Sequence, residues 1–565
     1  MPSTGPDAGS PYWYAGTAVT ATHCVRLTLG TTKCRRTVVS ALRPVNTRGL
    51  TLLSDLHSES AWLTRIRAEL LRGDVLAAEA SLVHALVDFP CSRDLRRIHA
   101  QVLQQSGRSA EAIALLQTLL DGDSGDTATA FALAHIFIEQ SRVAAAAKIM
   151  LTCFSSESNR GDVDLAINAI ELLDHADCKT GAAAIAAGAL GAKPSDARLQ
   201  AYAGMLQVQL GNFEQARQHY LMALDHDERA WEWHVPIGLS ATQQYPDVAH
   251  SDFALFKTGL ERRNLSNLAR AELHFALGKA HDDVGGYATA AAHFRQGNMI
   301  GRRLSSWSQK TWRRVVDAEL GRVPTARSTA LTPGFTPIFI VGMPRTGTTL
   351  LATQLTRFSA VCNRGELPWL ARLAQRPGLD GVREPAALQA VAREYAQRSR
   401  QDDAENFSWF IDKQPLNFCF LDLALAMFPD ARVIHCVRGA RDTALSLWTQ
   451  CFLHRVHGYS YTFDDMALVM RDEQRLMVHC QRYHPCAVRT VRYEDLVSDP
   501  RDIVTGLGRW LGVTASSADG MPPDAAATSI STASTWQARQ SIHRHSIGRW
   551  RHYLRHVPEL LQFPE

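Results

Sequence analysis

Along this 565-residue chain the spacing of apolar positions changes character near residue 335. From about 58 to 300 apolar residues recur at helical intervals. Beyond 334, short β-rich apolar runs alternate with amphipathic helical stretches. The first run, Pro337 to Val341, is long enough for a buried strand. Gly342, Pro344 and Gly347 break it, and Thr348-Thr349-Leu350-Leu351 opens a helical stretch reaching about 358. Further strands are expected over 408–413, 431–438 and 487–496, and helices over about 382–403, 421–428, 442–452, 463–483 and 501–511. Such alternation predicts a mostly parallel sheet with helices on both faces. Ligands of such sheets bind outside the carboxyl ends of the strands. Arg345, Glu366, Lys413, Arg438 and Tyr493 all fall at or just after such ends, so one crevice could hold all five.

The helical half repeats itself. Gly73, Gly107 and Ser141 stand 34 residues apart, each followed five residues later by Ala78, Ala112 or Ala146; Gly211 with Ala216 and Gly285 with Ala290 restate the arrangement. A 34-residue period in alanine-rich helical sequence is the tetratricopeptide signature. One helix ends near the glycine, and the alanine lets the next approach closely. Six to seven helical pairs stacked as a solenoid are expected, with uncertain registers between Ser141 and Gly211 and before Gly285. The predicted layout is a poorly ordered segment 1–55, a TPR-like α-solenoid 56–323 whose end (301–323) forms a bridging helix, a linker 324–333, and a P-loop-like α/β domain 334–565.

Composition adds mainly exclusions. Sixty Lys and Arg against 56 Asp and Glu give a net charge of +4, too mild to argue for nucleic acid. Eleven cysteines are scattered without C-x-x-C pairs, which reads as reduced thiols rather than a disulfide framework. No apolar run approaches the ~18 residues of a membrane span. The first residues lack a basic stretch followed by an apolar one, so no signal peptide is expected. A soluble, cytoplasmic protein is the expectation.

The strand–glycine loop–helix unit at 336–351 is a geometry that turns backbone N–H groups and a helix N-terminus toward an anion. Gly342 and Gly347 have the G-x-x-x-x-G spacing of the ATPase phosphate loop, but Thr348 and Thr349 stand where that motif has Lys then Ser/Thr. The loop's cation is Arg345 instead. The plain alternative for such a turn is a helix N-cap.

The strings GMPRTGTTLL, VRGARDTALSLW and RYEDLVSDP, with the R-G-E-L and D-K-Q-P turns, resemble the sulfotransferases that use 3′-phosphoadenosine 5′-phosphosulfate (PAPS). With the preceding repeats, the chain most resembles the bacterial repeat-fused branch related to tyrosylprotein sulfotransferase. The resemblance implies that Arg345, Thr346, Gly347, Thr348 and Thr349 bind the 5′-phosphosulfate, and that Arg438 and Ser446 bind the 3′-phosphate. Gln450 stands where some relatives carry a basic residue, so that clamp is looser or completed elsewhere. Arg441 and Asp442 cap or pair locally. Glu366 matches the general base of the tyrosylprotein branch, against a plain salt bridge to Arg364. His435, the base of other branches, sits mid-strand and reads as structural. Lys413 matches the lysine that supports sulfuryl transfer. Tyr493 is the expected adenine-side contact, Ser534 matches a cofactor-site serine, and Arg549 is the candidate in a tail resembling the closing segment, against a plain exposed basic helix.

The resemblance thus implies in-line sulfuryl transfer to a hydroxyl, Glu366 taking the proton while Arg345 and Lys413 stabilise the transferring group. Side chains supply the positive charge, so no metal is expected. Two rivals stay open: a phosphoryl-transfer enzyme using Asp412 on magnesium, and a repeat scaffold whose second domain binds nucleotide without catalysis. The acceptor is a protein, peptide or small molecule. A tyrosine is implied by the branch, and the repeat groove offers a surface for a protein partner. Oligomeric state is left open, a homodimer included.

Overall fold

The computed structural model describes residues 58–322, 334–376, 379, 384–401, 407–452, 455–513, 542 and 544–565. The segment 1–55, the linker 324–333 and Ser534 lie outside these residues. No described helix is long and apolar enough to cross a membrane. Two compact units are present, divided between Asn159 and Arg160 and so within the repeats rather than at 324–333.

In the first unit, helices pair as antiparallel hairpins: Glu59–Leu71 with Val75–Asp88, Arg93–Gln105 with Ser109–Gly122, and Thr127–Glu139 with Val143–Cys153. Each turn places one residue in the left-handed region, Gly73 and Gly107 at φ 78° and Ser141 at φ 59°. The next N–H then reaches back five residues, as in Arg142 N to Phe137 O at 2.7 Å. Ala78, Ala112 and Ala146 are wholly buried where the paired helices touch.

The second unit begins with the same hairpins, Val163–His175 with Lys179–Ala192 and Ala197–Leu210 with Phe213–His226. After shorter, irregular helices comes Asn267–Asp283 with Tyr287–Leu304. Close approach here needs glycine: a Cβ on Gly204 would sit 2.7 Å from the Tyr220 ring, and one on Gly278 would sit 2.6 Å from Phe294. The expected continuous helix over 301–323 is instead broken. Tyr287–Leu304 ends, and Gln309–Leu320 restarts with the Ser308 hydroxyl accepting from Thr311 N at 3.2 Å.

That last hairpin is part of the core around the sheet. Phe275, Phe294 and Trp312 share one buried apolar cluster with Phe339, Trp448 and Phe463. Asn298 Nδ2 donates to Trp448 O at 2.8 Å, and Trp312 Nε1 to Asp472 at 2.9 Å.

Five parallel strands form one sheet in the order β2-β3-β1-β4-β5: β1 Thr336–Val341, β2 Val361–Asn363, β3 Trp409–Asp412, β4 Arg432–Val437 and β5 Val488–Arg492. Ile338 and Ile340 enter the core on one face, Phe339 and Val341 that on the other. The expected strand 487–496 stops at Arg492, and Tyr493–Ser498 turns helical. Glu494 and Asp495 in its first turn complement the helix N-terminus. The chain leaves β1 toward β2 and β3 on one side and β4 and β5 on the other, so the switch of strand order lies at β1.

Candidate functional site

The loop after β1 is shaped by positions that tolerate little change. Gly342 has φ 139°, and a Cβ there would lie 2.2 Å from Cys436 O. Gly347 has φ 90° and stacks under Tyr493, whose ring would be 2.7 Å from a Cβ. Thr346 Oγ1 donates to Met343 O at 2.7 Å, tying the turn. The helix Thr348–Leu355 begins at Gly347 with no side-chain cap, leaving its first N–H groups aimed out of the loop. Thr348 is buried and Thr349 half-buried beside them.

Arg345 sits in that loop at φ 74°, a strained conformation for a side-chain-bearing residue. Its Nε donates to Ser446 Oγ at 3.0 Å, and Ser446 is buried on the helix Ala440–Trp448 that follows β4. Arg438, the first residue past β4, donates from Nη1 to Arg345 O at 3.1 Å and from Nη2 to Ser546 O. Its guanidinium lies over the Tyr493 ring, 4.8 Å from the centroid. Arg438 Nε is buried with no partner among the described residues. Burial, then Arg438 and Arg549, pull the Arg345 pKa down to about 10. Burial also lowers that of Arg438, against Asp442, Tyr493 and Glu494. Arg549 is held by Asp282 of the last repeat; burial opposes its charge, but Asp282 and Tyr553 outweigh this and its pKa is raised. Arg345, Arg438, Arg549, Ser446 and Tyr493 therefore converge at one place, with cationic potential concentrated on Arg345.

On the other side of β1, Lys413 Nζ donates to Glu366 Oε1 at 2.5 Å. The lysine is buried and the glutamate side chain 21% exposed, so the carboxylate faces an opening. Lys413 N also donates to Gly365 O at 2.8 Å, locking the two turns together. Arg364 does not pair with Glu366; it donates to Arg400 O at 2.7 Å and lies over Phe410.

Asp412 accepts from Tyr395 Oη at 2.8 Å, Asn417 Nδ2 at 3.1 Å and Leu367 N at 3.4 Å. Burial nevertheless pushes its pKa up to about 7. Its oxygens are thus engaged by the scaffold beneath Lys413. His435 pairs with Glu473 inside the core, away from the loop. Asp442 accepts from Gly548 N at 2.6 Å and Trp550 N at 3.0 Å, and Arg441 donates to Phe563 O at 2.9 Å, so both fasten the C-terminal tail. Among the described residues no group of three or more His, Cys, Asp or Glu could hold a metal ion.

Two carboxylates of the repeats reach this region without any motif having marked them, Asp282 at Arg549 and Asp177 beside Gly365. The one sequence signal was positional: Asp177 lies 34 residues before Gly211, in a glycine's place.

The profile of the sulfotransferase family matches residues 337–517, a span that holds the loop Gly342–Thr349, Glu366, Lys413, Arg438, Ser446 and Tyr493 but not Arg549, Asp177 or Asp282. An uncharacterized protein of Aquifex aeolicus (strain VF5) is 29% identical over 252 residues, covering 41% of this chain and 32% of that protein. The chain thus spans about a third of that relative's length. Among solved structures, a tetratricopeptide repeat protein from Parabacteroides merdae ATCC 43184 is 14% identical, covering 45% of this chain and 96% of its own at a TM-score of 0.26. The sulfotransferase STF1 from Mycobacterium tuberculosis H37Rv is 17% identical, covering 52% and 91% at 0.23. The sulfotransferase STF9 from Mycobacterium avium is 14% identical, covering 56% and 89% at 0.22.

Proposed function

We propose that the chain transfers a sulfuryl group from PAPS to a hydroxyl acceptor. The observation that carries this reading is the meeting of Arg345, Arg438, Ser446 and Tyr493 at the switch of strand order, one strand from the Glu366–Lys413 pair. A partly desolvated cluster of guanidiniums favours a ligand with several anionic groups, and guanidinium forks suit phosphate oxygens. The loop N–H groups, Thr348, Thr349 and Arg345 hold the 5′-phosphosulfate in this reading. Arg438 and Ser446 take the 3′-phosphate, and Tyr493 flanks the adenine. Arg549 closes the nucleotide end.

The donor supplies an activated sulfur: its bond to the bridging phosphate oxygen breaks as one to the acceptor oxygen forms. Glu366 takes the acceptor's proton, and the Lys413 ammonium and Arg345 offset the charge left on the departing phosphate. A phenolic hydroxyl, including a protein tyrosine, fits a carboxylate base at a half-open site. The match of 337–517 to the sulfotransferase family supports the reaction class.

The engagement of Asp412 by Tyr395 and Asn417 speaks against its serving magnesium in a phosphoryl-transfer enzyme. Calorimetry with 3′-phosphoadenosine 5′-phosphate (PAP) on the full chain, paired with transfer of label from PAPS to a panel of phenols, tyrosine peptides and sugars, tests the proposal. Tight PAP binding with transfer is expected. Binding without transfer to any acceptor would favour a nucleotide-binding scaffold.

A further inference from the structure

Asp177 follows the helix Val163–His175 where other repeats carry Gly73, Gly107, Gly211 and Gly285, and the one directly before it Ser141. It takes the same left-handed conformation, φ 63°, and the same turn, with Cys178 N donating to Leu173 O at 2.8 Å. Aspartate tolerates that region better than most side chains, yet glycine adopts it without cost. An outlier of this kind is a reason to ask what the side chain does.

At Gly73, Gly107 and Gly285 a Cβ would meet nothing within 4 Å. The Asp177 turn instead faces the catalytic sheet: Asp177 Oδ2 lies 3.7 Å from where a Cβ on Gly365 would stand. Gly365 is the residue before Glu366, and its carbonyl accepts from Lys413 N. The repeat region thus puts a carboxylate against the turn that carries the base.

Two lysines stand near it. Lys179 is buried and donates to Asp174 Oδ1 and Asp174 O, both at 2.7 Å, with Asp177 Oδ1 farther off at 3.5 Å. Lys413 is in contact with Glu366. Asp174 and Asp177 thus share the single Lys179 ammonium, two carboxylates to one cation, while Lys413 is committed to Glu366. Its side chain keeps 53% of its surface open to solvent. Burial, reinforced by Asp174, raises its pKa against the pull of Lys179 and Lys413.

We propose that Asp177 is a specificity-determining residue of the acceptor site, selecting acceptors that carry a cationic group beside the reacting hydroxyl. The inference rests on the sulfuryl-transfer reading, because that reading makes the mouth beside Glu366 the acceptor site. A cation there gains attraction in a partly desolvated cleft, and an anion is repelled, worth about three- to tenfold per charge.

The test uses three phenols of similar shape with the full chain and PAPS: tyramine, 4-ethylphenol and 3-(4-hydroxyphenyl)propionate. The expected kcat/KM order is cation, neutral, anion, with steps of about three- to tenfold. Asp177→Asn and Asp177→Gly should compress the three to within about twofold, with PAP affinity unchanged. Asp177→Gly restores the repeats' own turn residue, so it should melt no lower than the natural chain. Where no phenol is turned over, their affinities for the PAP complex by calorimetry should follow the same order. Equal ranking, preference for the anion, or a ranking that survives both substitutions overturns the role of Asp177 while leaving the donor site standing. Failure of PAP to bind would instead remove the reading beneath it.

Discussion

The two sides of β1 solve opposite electrostatic problems. Toward β4, Arg345 is half-buried within the field of Arg438 and Arg549, and its pKa falls to about 10. Toward β3, a buried lysine touches a half-open carboxylate. Like charges kept close and dry are costly alone but create a strong site for a polyanion. A matched pair costs less and leaves a carboxylate oriented for a proton. In the proposed reading, the carboxyl end of one sheet binds a charged donor and moves a proton because the two tasks fall on opposite sides of its central strand.

The sharpest way to break this contrast is to remove each side separately. Glu366→Gln should lower kcat by about 10²- to 10⁴-fold with PAP affinity unchanged, read by steady-state assay and calorimetry. Full turnover in that variant would end its role as base. Arg345→Ala should weaken PAP by about 100-fold, and Arg345→Lys should recover only part because the fork geometry is lost. Arg438→Ala should weaken PAP by about ten- to 100-fold. It should barely alter affinity for adenosine 5′-phosphosulfate, which lacks the 3′-phosphate. Ser446→Ala, which removes one hydroxyl, should cost PAP about threefold to tenfold.

The smallest effect concerns the scaffold under Lys413. Burial raises the Asp412 pKa to about 7 from 3.8, so the folded protein keeps a proton that the unfolded chain loses. Stability should therefore fall as pH rises from about 4 to 7, by at most about 1.4 kcal/mol per unit, and level off above. Asp412→Asn should flatten that slope in thermal melts across pH 4 to 8.

What could be read in advance follows from how local each signal is. The repeat glycines and alanines were legible because each is fixed by a turn or a helix contact within its own hairpin. The loop Gly342–Gly347 was legible because strand, glycines and helix are contiguous. Val361–Asn363 was not foreseen as a strand, since three residues carry no period and its pairing to β3 is long-range. The break at Ser305–Ser308 was hidden by strongly helical flanks and is set by hydroxyl caps. The Glu366–Lys413 contact spans 47 positions and no spacing rule announces it. Asp177 was hidden for the opposite reason. Departure from glycine reads as degeneracy of the repeat, and only the fold brings that position to Gly365.

The account stands most directly on whether one nucleotide engages both Arg345 and Arg438. Calorimetry of PAP against adenosine 5′-phosphate should give about ten- to 100-fold tighter binding for PAP, with the advantage largely lost in Arg438→Ala and both ligands weakened in Arg345→Ala. Equal affinities for the two nucleotides in the natural chain, or an advantage that persists in Arg438→Ala, would contradict it.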